Sequence, residues 1–245
     1  MLLFKLLFFI PLLSTVITYP AGLLINDRAS QIVSSSLISI SAIVSWLCLY
    51  NYVSNDLSPF VIDIFSWILI SGSYLDWSIS INPLTLLMLT LVLTVSALVH
   101  IYSIEYMSHD KSKNRFMVYL SLFTFCMVSL VVSDNIVQLF FGWEGVGLAS
   151  YLLIGFWHHK KTANNAAIKA FLVNRITDFG FLIGIALLYI YSYSLSITDI
   201  IASKDYLKSI PINFIFIETD VLTISCFFLF IGAMGKSAQF GFHTD

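Results

Sequence analysis

The sequence has little charge. Asp, Glu, Lys and Arg make up 11% of its 245 residues, whereas soluble domains average about 25%. Hydrophobic residues make up 58%, so the composition excludes an ordinary soluble domain and indicates an integral membrane protein. The formal net charge of −2 offers no basic field for nucleic acid, and we expect no nucleic-acid partner.

The sequence also lacks the motifs of soluble redox and metal chemistry. No glycine-rich dinucleotide loop, Walker A sequence or HExxH-type histidine pair is present. The cysteines Cys48, Cys126 and Cys226 stand far apart inside apolar runs. This placement predicts three small core hydrophobes rather than a disulfide framework or a metal site.

Seven apolar stretches are long enough to cross a bilayer as helices, which takes roughly 20 residues each. The candidate spans are Leu2–Ile25, Ile32–Val53, Leu84–Tyr106, Phe116–Val132, Ile136–Trp157, Ala166–Tyr191 and Val221–Phe240. The first stretch lacks a strongly basic n-region and an A-x-A cleavage site, so we interpret it as a retained span. The predicted fold class is an all-α polytopic membrane protein that forms one membrane domain, 1–245.

The region between the second and third spans, 58–82, has a different pattern. Polar residues such as Asp63 and Asp76 alternate loosely around Ser71-Gly72-Ser73, among aromatic and β-branched residues. This pattern predicts an extramembrane β-hairpin. The predicted domain is therefore divided into helices 1 and 2 (1–57), the hairpin (58–82), helices 3 to 6 with the following loop (83–217) and the first half of a broken helix 7 (218–245).

Lysines and arginines set the expected orientation. If the chain crosses the membrane at each span, one side carries six basic loop residues and the other carries three. The richer side holds Arg28, Lys111, Lys113, Arg115, Lys160 and Lys161, and the poorer side holds Lys5, Lys204 and Lys208. We expect the richer side to face the cytoplasm or the mitochondrial matrix.

Charged residues inside the spans are the candidate functional residues, because a charge at the centre of a membrane helix costs about 2.5–3.5 kcal/mol. Arg175 and Asp178 are three residues apart and share a helix face, so they can neutralise one another as a purely structural ion pair. His100 and Glu105 flank the far end of the third span, where we expect interfacial solvation to accommodate them.

Glu144 lies near the middle of an apolar stretch that contains no basic residue. Gly145 and Ala149 form a small-xxx-small pair that allows another helix to approach closely. The remaining candidate partner is Lys236, which is also surrounded by small residues. A Glu–Lys pair of adjustable strength is usable as a proton-loading switch, and a static ion pair has the same composition.

Lys236 lies about 22 Å along a helix that begins at Val221, given a rise of 1.5 Å per residue. The glycines at 232, 235 and 241 predict that this helix breaks nearby. Broken helices at membrane depth occur only where they are buried in protein or line a wet cavity. The sequence therefore predicts an ion path beside Lys236.

Several of these segments resemble a known family. "FFGWEGVGLASYLLIGFW", "AAIKAFLVNRITDFGFLIGI", "FIGAMGKSAQFGFHT" and "INPLTLLMLTLVLTVSALVHIYSIEYM" are similar to chain 5 of NADH–ubiquinone oxidoreductase, the distal antiporter-like membrane subunit of respiratory complex I. The resemblance runs from about Ile81 onward. The large subunit of multisubunit Na+/H+ antiporters shares the Glu and Lys motifs, and a structural membrane scaffold is a further alternative.

The resemblance implies a role for each matching residue. Lys236 matches the proton-carrying lysine of an input half-channel, and Glu144 matches the glutamate that pairs with it and tunes it. Asp178, with Arg175 beside it, matches an acidic position implicated in coupling to the neighbouring subunit. The implied fold consists of inverted five-helix repeats with broken helices.

The resemblance also implies where the rest of the chemistry takes place. NADH, FMN, iron–sulfur clusters and ubiquinone are expected in other subunits, with no cofactor and no metal in this chain. The expected partners are the membrane-arm subunits of complex I, especially the adjacent antiporter-like subunit, together with lipids. The expected location is the mitochondrial inner membrane, with a bacterial inner membrane as the alternative. Because the family continues beyond the motif that ends in "HTD", we also expect a second polypeptide that completes the fold.

Overall fold

The computed structural model describes residues 2–70, 73–214, 217–239 and 241–242. Within these residues the elements follow in the order α1 (Leu2–Leu24), α2 (Asp27–Ser54), β1 (Phe60–Ile70), β2 (Ser73–Ile81), α3 (Pro83–Tyr106), α4 (Lys113–Val131), α5 (Ile136–Ile154), α6 (Lys161–Ser192), α7 (Ile197–Ala202), α8 (Lys204–Ser209), β3 (Pro211–Phe214), β4 (Ile217–Asp220) and α9 (Val221–Lys236). Helices α1 to α6 are long and apolar enough to cross a membrane. The chain is a mainly helical, multi-pass membrane protein, as the composition predicted.

Helix α9 is shorter than the predicted seventh span. It begins at Val221 as expected but ends at Lys236 instead of continuing to Phe240, which lies outside the described residues. Its 16 residues make a helix about 24 Å long, shorter than the roughly 30 Å hydrocarbon core. Beyond its end, Ala238 and Gly241 adopt positive φ values, a conformation that stops an α-helix. The described part of the chain therefore has six helices long enough to span the membrane and a seventh, shorter apolar helix where the sequence predicted the first half of a broken helix.

The predicted β-hairpin is present. Strands β1 and β2 pair antiparallel, with Phe60 opposite Ile81 at one end of the ladder. The expected turn residues Ser71 and Gly72 lie outside the described residues. One face of the hairpin packs into the core through the buried side chain of Trp77, whose ring contacts Phe8 of α1 and Phe141 of α5.

The described contacts divide the chain into two compact units. Unit 1 comprises Met1–Asp134 and Gln138–Leu153, and unit 2 comprises Asn135–Val137 and Ile154–Asp245. In unit 1, α1 packs on α2 and α4, and α2 packs on α3. In unit 2 the main helix contact joins α6 to α9. The organisation of 1–245 as one membrane domain stays a prediction.

Two short helices and a second hairpin lie where the sequence predicted only a loop. Helices α7 and α8 follow the end of α6 at Tyr193, which adopts a left-handed conformation with φ 55°. Strands β3 and β4 then pair antiparallel and lead directly into α9. Asp220 joins the two elements because it ends β4 and caps the first turn of α9.

Candidate functional site

Glu144 lies near the middle of α5 and is half-buried. The first turns of α5 are held by the hairpin through the fully buried side chain of Gln138. The Ser78 backbone N–H donates to Gln138 Oε1 at 3.1 Å, and Gln138 Nε2 donates to the Ser78 carbonyl at 2.9 Å. The Gln138 side chain forms the same pair of hydrogen bonds with β2 that a neighbouring strand would form. It therefore holds in place the helix that carries Glu144.

The small residues of α5 allow the close helix approach that the sequence predicted, and the approaching helix is α4. A Cβ atom added at Gly142 lies 2.6 Å from the Leu130 backbone nitrogen, and one added at Gly145 lies 2.7 Å from Cys126 Sγ. Ala149 is fully buried on the same face. Because each residue turns the helix by about 100°, Glu144 points largely away from this face.

Lys236 is the last residue of α9 and is half-buried. The small residues before it contact α6: a Cβ atom added at Gly232 lies 2.7 Å from the Phe181 side chain, and Gly235 packs directly against Thr177. The C-terminal end of a helix carries a partial negative charge, which favours a cation at this position.

Asp178 and Lys236 lie at the same level of the α6–α9 interface. Thr177 and Gly235 are in contact across it, and each charged residue directly follows one of them. A second contact, between Gly184 and Leu229, shows that the two helices run antiparallel. Unit 2 therefore places Asp178 and Lys236 at similar levels of two packed helices, with Lys236 at the C-terminal end of α9.

Asp178 and Arg175 differ strongly in their environments. The side chain of Asp178 is 3% exposed, whereas Arg175 is exposed and places its guanidinium 5.0 Å from the centre of the Phe171 ring. An arginine at this distance is attracted to the face of an aromatic ring. The structural ion pair between Arg175 and Asp178 stays a prediction, and so does the pairing of Glu144 in unit 1 with Lys236 in unit 2.

Two expectations from the sequence are wrong. His100 is not solvated at the interface, because its side chain is fully buried among α1, α2 and α4, whereas Glu105 is exposed as expected. Cys226 is exposed on α9, so only Cys48 and Cys126 are core residues. The signal for His100 was present in the serines of the first, second and fourth spans, whose hydroxyls need buried partners.

Within the described residues, no cluster of three or more His, Cys, Asp or Glu side chains is arranged to hold a metal ion. The candidate site therefore consists of separate ionisable groups in membrane helices. Such residues are rare, and they mark ion pathways and proton relays in membrane proteins.

Two family profiles match the chain. The NADH:quinone oxidoreductase/Mrp antiporter transmembrane family matches residues 133–244, and the N-terminal family of chain 5 of NADH–ubiquinone oxidoreductase (complex I) matches residues 67–117. A solved structure with the same fold is the Mrp complex from Dietzia sp. DQ12-45-1b. It aligns with a TM-score of 0.74 at 21% identity over 99% of this chain and 24% of that chain.

Curated relatives are more similar in sequence. NADH-quinone oxidoreductase subunit L of Rickettsia conorii is 44% identical over 235 residues, which is 96% of this chain and 35% of that protein. NADH-ubiquinone oxidoreductase chain 5 of Chondrus crispus is 41% identical over 241 residues, which is 98% of this chain and 36% of that protein. The chain thus spans about a third of the length of these relatives.

The similarity covers nearly all of this chain, and the two family profiles together match about two thirds of it. The match includes Glu144, Arg175, Asp178 and Lys236. This chain is therefore similar over nearly all of its length to NADH-quinone oxidoreductase subunit L and NADH–ubiquinone oxidoreductase chain 5, and it matches two profiles of such antiporter-like membrane subunits.

Proposed function

We propose that this chain is a proton-translocating membrane subunit of respiratory complex I, in which Glu144 and Lys236 carry the input half of a proton path. The observation that carries the proposal is the position of Lys236, at the end of a helix too short to cross the membrane and at the level of the buried Asp178. The similarity to subunit L and chain 5 supports complex I as the machine in which such a path operates.

In this proposal Lys236 holds the transferred proton. A nearby carboxylate favours the protonated ammonium group, and weakening that attraction favours release of the proton. Glu144 and Asp178 are the carboxylates that act on Lys236, and Arg175 adjusts the charge of the helix that carries Asp178. Coupling then consists of a change in these attractions while electrons move elsewhere in the complex.

The redox chemistry belongs to other subunits in this proposal. NADH, FMN, iron–sulfur clusters and ubiquinone bind outside this chain, and the chain contributes to NADH oxidation by ubiquinone only through proton movement. Its partners are the membrane-arm subunits of complex I, in particular the adjacent antiporter-like subunit. We place it in the mitochondrial inner membrane, since the chain is rich in Phe and Tyr, with 21 and 12 residues, as AT-rich codons favour.

The test measures NADH-driven proton pumping by the assembled complex that carries Glu144→Gln, Lys236→Ala or Asp178→Asn. Lys161→Ala is the control, because Lys161 is an exposed lysine at the start of α6. We expect each of the first two variants to lower pumping about tenfold or more, the scale on which positioned proton-transfer groups act. Near-normal pumping by both variants in intact complex rules out the Glu–Lys path. Pumping that requires Na+ supports the Na+/H+ antiporter alternative.

A further inference from the structure

Four helices of unit 1 meet at a single hydroxyl group. Ser121 Oγ on α4 lies 3.0 Å from Ser14 Oγ on α1, 2.8 Å from Ser34 Oγ on α2 and 3.4 Å from His100 Nε2 on α3. All four side chains are fully buried. A buried polar cluster of this kind is stable only if its hydrogen-bonding groups are satisfied, so the arrangement of its protons can be worked out.

The hydrogen bonds assign one tautomer to the neutral ring. His100 Nδ1 lies 2.8 Å from the Ser96 carbonyl, which only accepts, so Nδ1 carries the proton. Nε2 then accepts from the Ser121 hydroxyl. Ser121 in turn accepts from Ser14 and Ser34, which uses its one donor and both of its acceptor positions.

The same cluster also satisfies a protonated ring. In that state Nε2 donates to Ser121 Oγ, Ser121 donates to Ser34, and Ser14 still donates to Ser121. The directions of the His100–Ser121 and Ser34–Ser121 bonds are both reversed, and the direction of the Ser14–Ser121 bond is unchanged. Proton gain at His100 therefore needs rotation of hydroxyl groups and no movement of a helix.

Buried polar residues lie between this cluster and one end of unit 1, and their described side-chain hydrogen bonds go to backbone carbonyls. Cross-helix bonds place the ends of the four helices together: Gln31 Nε2 donates to the Ile104 carbonyl at 3.1 Å, and Asn114 Nδ2 donates to the Tyr19 carbonyl at 3.3 Å. Given an α-helical rise of 1.5 Å per residue, the buried polar residues nearest to this end lie about 2 to 17 Å from it along the helix axes. From the end inward they are Asn114, Ser30, Ser103, Gln31, Thr18, His100, Ser34, Ser35, Ser121, Ser14 and Thr124.

We call this set the polar column, and it reaches about half of the roughly 30 Å hydrocarbon core. Its outer end lies beside the loop between α3 and α4, which contains Lys111. There the buried Oδ1 of Asn114 has no hydrogen-bond partner among the described residues. A buried acceptor near a helix end is suited to bind an entering water molecule.

The inner end of the polar column stops at an apolar groove. The Ser96 and Thr124 hydroxyls are 2.6 Å apart and border a cavity of about 270 Å³ between α3 and α4. Apart from these two residues, the cavity is lined by aliphatic, aromatic and methionine side chains. The next buried hydroxyls along α2 and α4, those of Ser41 and Ser129, have no hydrogen-bond partner among the described residues. His100 is therefore the titratable group that the hydrogen-bonded part of the column reaches.

The charged residues on the helices and the hairpin that pack around His100 are separated from it along the chain. On the helices, each charged residue is at least five residues from the nearest clustered side chain. This separation is about 7 Å along the helix axis. The charged residues are Lys5 on α1, Asp27 and Arg28 on α2, Glu105 on α3, Lys113 and Arg115 on α4, and Asp63 and Asp76 on the hairpin. The other titratable groups on these four helices are Tyr19 on α1, Cys48, Tyr50 and Tyr52 on α2, Tyr102 and Tyr106 on α3, and Tyr119 and Cys126 on α4. The described hydrogen bonds of the ring go to hydroxyl groups and one carbonyl.

We propose that His100 is a proton-binding site, separate from Glu144 and Lys236, that is loaded through the polar column. A hydronium ion in the column gives a proton to Ser34 Oγ, the Ser34 hydroxyl proton passes to Ser121, and the Ser121 hydroxyl proton passes to His100 Nε2. One O–H bond breaks and one forms at each serine, one N–H bond forms on the ring, and one water molecule is left. The reverse sequence returns the proton to the same side.

The test measures hydrogen–deuterium exchange at the imidazole C2 position by mass spectrometry of the assembled complex. The rate of this exchange depends on the protonation state of each ring, and each histidine is read from its own peptide. We expect the His100 rate to follow a single titration curve with pH. His109, in the exposed loop after α3, is the internal reference. Because no NADH is added, the outcome is independent of the proposed pumping role.

Ser121→Ala removes the link between the column and the ring, and we expect it to slow His100 exchange about tenfold, comparable to the loss of one net hydrogen bond. Ser121→Thr keeps the hydroxyl and is expected to restore the rate. Ser129→Ala is the matched control, because Ser129 is equally buried on α4 and outside the cluster. Exchange at His109 but none at His100 overturns the proposal, as does unchanged or faster exchange in Ser121→Ala.

Discussion

Single side chains decide where several of these helices begin. Asn26 caps α2 by accepting from the Ala29 N–H, and Asn82 caps α3 by accepting from the Thr85 N–H, with Pro83 as the first helical residue. Asp220 caps α9 by accepting from the Thr223 N–H at 2.8 Å and from the Thr223 hydroxyl at 2.9 Å. Each cap satisfies a backbone donor that the helix itself leaves without a partner.

The Asp220 cap gives the start of α9 a dependence on pH. The pKa of the Asp220 carboxyl is lowered from its ordinary value of 3.8, first by the Thr223 backbone N–H and then by the Thr223 hydroxyl. A lowered folded-state pKa means that the stabilisation is present above pH 3.8 and is lost as the pH falls through the lower folded-state value. We predict that Asp220→Ala speeds amide exchange at Thr223 near neutral pH, whereas Asp220→Asn, which keeps the acceptor, does not.

Amide exchange measured by mass spectrometry on the complex checks this prediction. The difference between wild type and Asp220→Ala should shrink as the pH falls, because protonation weakens the wild-type cap. Equal exchange in all three proteins at neutral pH contradicts the role assigned to the cap.

The sequence indicated which ionisable residues lie in the apolar helices but not their environments. Glu144, Asp178 and Lys236 were recognisable because charges are costly in apolar runs. His100 was misplaced because its solvation depends on Ser14, Ser34 and Ser121, which are far away in the chain. The serines of these helices indicate that buried partners are needed, but the pattern of one helix does not show which residues of the other helices they meet.

At the scale of elements, glycines set how closely the helices approach. On α5, the atoms nearest to a Cβ added at Gly142 belong to Leu130, including its backbone nitrogen at 2.6 Å and its Cα at 2.7 Å. At Gly145 the nearest atom is Cys126 Sγ, which belongs to a side chain. A backbone cannot move aside without moving its helix, whereas a side chain can change its rotamer.

We therefore predict that Gly142→Ala destabilises the packing of α4 on α5 by about 1–3 kcal/mol, the usual effect of overpacking. Gly145→Ala should have the smaller effect of the two, although both substitutions add one methyl group to the same helix face. Heat-induced dissociation of the complex, followed on native gels, checks this order. A lower dissociation temperature for Gly145→Ala than for Gly142→Ala contradicts it.

Most spanning helices were predictable from the sequence because roughly 20 apolar residues are a strong signal. The predicted Leu2–Ile25 and the observed Leu2–Leu24 differ by one residue. The short elements were not predicted, since six-residue helices such as α7 and four-residue strands such as β3 carry too little periodicity. The end of α9 was misjudged because the apolar pattern continues past the point at which the backbone leaves the helix.

At the scale of the whole molecule, the orientation in the membrane remains to be measured. In unit 1 the hairpin joins α2 to α3, and the loop with Lys111 joins α3 to α4, so the two segments lie at opposite ends of α3. We predict that cysteines at Ser66 and Ser112 are labelled from opposite faces by an impermeant reagent. The basic loop should be reached from the matrix or cytoplasmic face.

The labelling is best done in a Cys226→Ser background, because Cys226 is the exposed native cysteine among three, the others being buried. Inside-out and right-side-out vesicles then give the two faces. Labelling of both positions from the same face would falsify the predicted crossing of α3.

The central claim is that this chain moves protons through Lys236 while electrons move elsewhere in the complex. The most direct measurement is the number of protons pumped per NADH oxidised by purified complex in liposomes, for wild type, Lys236→Ala and the exposed-lysine control Lys208→Ala. We predict a lower ratio for Lys236→Ala at normal assembly and a wild-type ratio for Lys208→Ala. An unchanged ratio in assembled Lys236→Ala complex would contradict the claim, because protons would then cross without this lysine.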